Sequence, residues 1–198
     1  MPETPDTLRA ALEAGALSGC QLLGAARLGH PAAGALLGEP ADPTLLAPDR
    51  PPPPGVERLP PRTLLAWGWV TVSEALGAHA AELRETGVRI PLRGIMLMLW
   101  RPVRGDALLP HHSDVALRDT GRLGARGELT PLLREGVLGI HSLARAALAP
   151  DAVEAGDPPG SWEWFWENLA QATAHACAAD PRQEDPARAR LAAWLLAR

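Results

Sequence analysis

The stretch from Leu17 to Gly38, LSGCQLLGAARLGHPAAGALLG, constrains this chain more than any other, because it reads as helix, hinge and helix in immediate succession. Leu22, Ala25, Ala26 and Gly29 recur at three- and four-residue spacing, so a first helix is expected over 18–28 with these residues on one face. Ser18 is placed to cap its free amide groups. Gly29 is placed to take the left-handed conformation that ends a helix. Pro31 opens the next helix, where its missing N–H costs nothing. Ala32, Ala33, Leu36 and Leu37 carry the apolar pattern to Gly38. Neither piece is long enough to persist alone in water, so each must bury a face against something else.

Ala25-Ala26, Gly29-His30, Ala33 and Leu37-Gly38 fall where the Sel-like repeats, relatives of the tetratricopeptide repeat, carry Ala-Ala, Gly-His, Ala and Leu-Gly. Residues 17–38 thus resemble one Sel-like helical hairpin, and similar segments occur in helical bacterial proteins. The resemblance implies an antiparallel helix pair used for protein contacts, and it implies no catalytic residue. Arrays of this class contain three or more copies, and no second copy is found in this chain.

Proline and glycine punctuate the remainder of the chain: 21 Pro and 19 Gly in 198 residues break the apolar runs into short helices with connections between them. The chain reads as a single helical domain, 1–198. It contains no Lys and no Tyr, a skew that follows a GC-rich genome and carries no functional meaning. Its net charge of −4, with arginines interleaved among acids, leaves no concentrated basic face for nucleic acid. No apolar run is long enough to span a bilayer, and the acidic N-terminus lacks the order of a secretory signal. Cys20 and Cys177 stand far apart in Ala/Leu-rich contexts and read as buried thiols of a cytoplasmic protein.

Residues 4–14 form an expected helix, capped by Thr4 and opened by Pro5, burying Leu8, Ala11 and Leu12. A Pro-rich connection spans 39–61, with four consecutive prolines that read as a stiff surface linker. A long helix is expected over 63–84 with Leu65, Trp69, Val72, Leu76 and Leu83 on one side, ended by Gly87. Residues 91–100 read as a shorter helix burying Leu92, Ile95, Met96 and Leu99, with a strand pair over 88–100 as the alternative. Residues 102–127 read as a long irregular loop, because Gly121, Gly124 and Gly127 each weaken a helix by about 1 kcal/mol relative to alanine. Helices are then expected over 130–148, 161–179 and from Asp185 to the C-terminus, the last with Leu191, Trp194 and Leu195 as its apolar side.

Only His111-His112-Ser113-Asp114 carries metal-ligand or acid-base chemistry in a cluster. Imidazole and carboxylate together suit zinc or non-haem iron, with His111, His112 and Asp114 as ligands, but no spaced partner motif supplies the rest of a site. Ser113 lacks a nucleophile elbow, GRLGARG lacks the Lys and Ser/Thr of a phosphate loop, and Cys177 and His175 point apart on one helix. Arg134, His141 and Arg145 form a stripe along one helix that could meet an acidic partner. In SWEWFWENLA, Trp162, Phe165, Trp166 and Leu169 share a core face, whereas Trp164 points away. Trp164 and Trp67 are the expected exposed aromatic anchors.

The expected fold is all-α, an irregular bundle of about six to eight short helices with long Pro/Gly-rich loops. The expected function is a non-catalytic protein-interaction module, an adaptor, scaffold or immunity-type partner, with no cofactor and no membrane or nucleic-acid partner. A metal-binding or hydrolytic domain centred on the HHSD segment, and a subunit of a homo- or hetero-oligomeric assembly, are the alternatives.

Overall fold

The computed structural model describes residues 4–17, 22, 25, 30–37, 55–150 and 161–196. The expectations for Ser18, Cys20, Gly29 and most of the Pro-rich connection fall outside them. Every regular element among the described residues is helical, so the fold is all-α. In chain order the helices are α1 (Pro5–Glu13), α2 (Pro31–Leu37), α3 (Pro61–Ala78), α4 (Ala80–Glu85), α5 (Arg89–Val103), α6 (Pro110–Gly124), α7 (Pro131–Ala146), α8 (Ser161–Ala179) and α9 (Glu184–Leu196). Single 3-10 turns lie at Val56–Arg58 and Pro181–Gln183. Where the sequence reads as one domain, the contacts group the chain into two compact units: Met1–Leu59 with Glu184–Arg198, and Pro60–Gln183.

In the smaller unit, Thr4 and Thr7 form a reciprocal cap on α1. The Thr4 hydroxyl accepts from the Thr7 N–H at 3.2 Å, and the Thr4 N–H donates to the Thr7 hydroxyl at 2.8 Å. Of the expected apolar face of α1, only Leu8 is buried; Leu12 is 37% exposed and Ala11 half-buried. The hinge before α2 turns on His30. Its N–H donates to the Ala25 carbonyl at 2.9 Å. Its Nδ1 accepts from the Ala33 N–H at 3.3 Å, capping α2. In α9, Ala187, Leu191 and Ala192 are buried, and Glu184 pairs with Arg188 one turn on.

The larger unit is built on α7 and α8, which run antiparallel against each other, with α3 packed across both. Small residues permit this. A side chain at Gly139 would stand 3.2 Å from the Ala172 carbonyl, and one at Gly68 would collide with Leu169, so α7 and α3 each approach α8 through a glycine. Leu133, Val137, Ile140 and Leu143 of α7 meet Phe165, Leu169, Ala172 and Ala176 of α8 in a dry core. Each large apolar side chain buried there contributes about 1.5–3 kcal/mol. Trp67 lies fully buried with its ring stacked on Trp166, centroids 6.3 Å apart and planes within 4°.

Two expectations about these segments change and one holds. The helix expected over 63–84 breaks at His79, whose Nε2 donates to the Ala179 carbonyl at 2.9 Å. The helix expected over 91–100 is present as α5, in place of the alternative strand pair, with Leu92, Ile95, Met96 and Leu99 buried as their helical spacing requires. Most of 102–127 is not an irregular loop: α6 occupies Pro110–Gly124. Packing outweighs the helix-weakening glycines there, because Ala116 and Thr120 are buried against α7. Thr120 Oγ1 bonds both the Ala116 carbonyl, at 2.6 Å, and His141 Nδ1, at 2.9 Å.

Candidate functional site

The helices α3, α4 and α5 fold back on one another and leave a groove between them. Trp69 sets its width. Its indole N–H donates to the Met96 carbonyl at 2.8 Å, and its ring tilts against Trp100 with centroids 4.6 Å apart. The cavity beside this bond measures about 370 Å³, within the range of binding clefts. Leu76 and Leu83 line it from α3 and α4, and Leu92, Met96 and Leu97 from α5. Its polar groups are few: the Ser73 hydroxyl and the guanidiniums of Arg89 and Arg93. Among the described residues no carboxylate or imidazole lines it.

One wall residue of the groove, Leu97, is apolar and 58% exposed. Ile90, seven residues earlier on the same side of α5, is 82% exposed but does not line the groove. An added side chain at Gly77, which lines the α3 wall, would meet nothing within 4 Å; the same holds for Gly94 of α5, outside the lining. Arg89 and Arg93 are exposed, and neither is paired with a carboxylate among the described residues. Nearby Glu82 is engaged elsewhere: Oε1 accepts from the Thr130 N–H at 3.0 Å and Oε2 from the Thr130 hydroxyl at 2.9 Å.

The residues expected from sequence to form an interaction surface do not meet in one place. Trp67 is in the core and cannot be a surface anchor. It sits where α3 crosses α8, so the side that seemed to flank the buried face is itself buried. Trp164 is half-exposed, and the Arg145 guanidinium lies 5.8 Å from its ring centroid, within cation–π range. Arg134 is exposed and reaches the Arg126 carbonyl at 3.4 Å. His141 is tied to Thr120, and its pKa is lowered by partial burial first and by the Arg145 charge next. Beside this ridge, His175 Nδ1 and Glu135 Oε2 are 2.7 Å apart, a link between α8 and α7 that sequence spacing does not reveal.

The HHSD segment is the first turn of α6, not a loop. The rings of His111 and His112 lie 4.1 Å apart and tilted by 58°. Ser113 is buried, and Asp114 is exposed one turn into the helix. Desolvation, then the neighbouring His111 and Arg101 charges, lower the pKa of His112. Among the described residues no three His, Cys, Asp or Glu side chains are grouped to hold a metal ion. Cys177, expected to be buried, is half-exposed.

The groove was hidden in sequence because its floor residues, Leu76, Leu83, Leu92 and Met96, share the periodicity of core residues. The signal that marks it is Leu97, which falls off the buried stripe of α5 yet is large and apolar. Among the described residues no helix is long and apolar enough to cross a membrane. No protein-family model, curated protein or solved structure matches the chain. The local likeness of residues 17–38 to a Sel-like hairpin therefore stands on those residues alone.

Proposed function

We propose that this chain is a non-catalytic protein-interaction module, and that the groove between α3, α4 and α5 is where it docks a segment of a partner protein. One observation carries the reading: a concave apolar cleft of about 370 Å³ whose wall residue Leu97 stands 58% exposed. A large apolar side chain left in water on the wall of an apolar cleft marks an interaction site. The chemistry of the walls supports binding over catalysis. Among the described residues the cleft offers one hydroxyl and two guanidiniums, and no carboxylate or imidazole lines it to act as base or acid.

The experiment is site-specific photocrosslinking in the source cell. A benzophenone side chain replaces Leu97 in one version of the chain and Arg118, on the exposed face of α6, in another. The expected result is one protein crosslinked from position 97 and not from 118. That protein, purified, then binds the unmodified chain and fails to bind Leu97→Asp. Equal crosslinking from both positions, or undiminished binding to Leu97→Asp, overturns the proposal.

A further inference from the structure

We infer that the element seated in this groove is an amphipathic α-helix whose solvent-side residues include carboxylates that meet Arg89 and Arg93; the inference rests on the docking role just proposed. Length fits first. From Trp69 to Ala80 the wall formed by α3 and the start of α4 runs about 16 Å, and from Arg89 to Leu97 the α5 wall about 12 Å, at 1.5 Å per residue. That is room for two to three helical turns. Shape fits next. Both walls are helices with their backbone groups already paired internally, so the groove has no sheet edge on which a strand could add. A polyproline segment needs a row of aromatic ridges, and the single indole lining this groove spends its N–H on Met96. A bilayer surface would leave the concavity unfilled. A helix laying an i, i+3, i+7 ridge between two helices fills it.

Charge then selects among helices. Two guanidiniums one turn apart line a cleft that no carboxylate lines among the described residues, and Glu82 beside it is held by Thr130. A basic cleft with low-dielectric walls attracts an acidic ligand and repels a basic one. The same charges disfavour a two-fold pairing of α5 with a second copy about Gly94, because each Arg93 would then face its symmetry mate. Gly77 completes the fit. It is a helix-interior glycine lining the groove with open space where a side chain would stand, so the chain's own packing does not require it. A docked helix can approach α3 closely at that point.

The test uses the full chain and three fluorescein-labelled peptides of about 18 residues, long enough to form helices. All share one leucine face; their polar faces carry Glu, Gln or Lys. Fluorescence anisotropy is expected to show the Glu peptide binding about tenfold or more tighter than the Gln peptide, with the Lys peptide weakest. The double variant Arg89→Gln, Arg93→Gln is expected to abolish that ranking while leaving the Gln peptide's affinity unchanged. Gly77→Leu, whose Cβ meets nothing of the chain within 4 Å and would stand in the groove, weakens all three. If the three peptides bind equally and Leu97→Asp removes them all, the charge inference falls and the docking groove stands. If no peptide binds, or Leu97→Asp changes nothing, the docking role falls and the inference with it. Binding to phosphatidylglycerol vesicles in place of the peptides, or a concentration-dependent dimer that Leu97→Asp dissolves, overturns the helix assignment in favour of a membrane or a second copy.

Discussion

The indole N–H of Trp69 on α3 donates to the backbone carbonyl of Met96 on α5 at 2.8 Å, and this bond holds the two walls of the groove at their spacing. Trp69→Phe keeps an aromatic ring but removes the donor. The variant is expected to lose about 1 kcal/mol of stability, the usual net worth of such a bond. Urea titration followed by far-ultraviolet circular dichroism measures it, and an unchanged midpoint would contradict the assignment.

Gly94 offers the opposite sign. It sits inside α5 with helical backbone and open space around its missing side chain. Gly94→Ala is expected to raise stability by about 0.5–1 kcal/mol, because alanine loses less backbone entropy on folding. A lower unfolding midpoint would mean that something occupies that space.

Thr130 joins two helices through one side chain. Its hydroxyl caps α7 by accepting from the Leu133 N–H at 3.3 Å and donates to Glu82 of α4. Thr130→Ala is expected to cost about 1–2 kcal/mol. Glu82→Gln costs less, and the double variant costs less than the sum of the two, since both substitutions break the same bond. Strict additivity in a double-mutant cycle would refute the coupling.

His141 and Asp180 are among the groups that shape the acid limb of stability. Neutral His141 is favoured in the folded chain by partial burial and by the Arg145 and His175 charges, so the unfolded chain takes up its proton more readily. Stability is therefore independent of this group above its ordinary value near 6.5 and declines as the pH falls below it. Asp180 has its carboxyl held below the ordinary range, chiefly by hydrogen bonds from the Arg182 side chain. Its contribution is present above its ordinary value of 3.8 and is lost as the pH falls further. Urea midpoints are expected to drop between about pH 7 and pH 5, and His141→Asn is expected to flatten that interval. A decline of the same slope in His141→Asn would rule out this residue as its source.

His30 makes the hinge of the smaller unit testable. His30→Ala removes the Nδ1 acceptor that caps α2 and is expected to cost about 1 kcal/mol, whereas His30→Asn restores an acceptor and most of the stability. Equal loss in both variants would show that the ring matters through packing alone.

Proline was legible at three helix starts: Pro5, Pro31 and Pro131 stand at the first position of a helix, where a fixed φ and a missing N–H favour initiation. Pro61 and Pro110 open helices in the same way, although the sequence reads them into a connection and a loop. With the 3.6-residue spacing of Leu and Ala, that was enough to read an all-α fold and the buried faces of α5 and α7. Local rules act through neighbours in sequence, and these were neighbours in sequence. Tertiary contacts decided the rest. The HHSD segment became a helix because Ala116 and Thr120 found a face of α7 to bury against, a gain that no local propensity contains. Trp67 went inside because Trp166, far along the chain, supplied the surface for it to stack on. The groove could not be read at all, since Leu76 and Met96 carry the same pattern whether a third helix covers them or leaves them facing a cleft. Periodicity reports which side of a helix is apolar; only the arrangement of the other helices determines how much of that side is left uncovered.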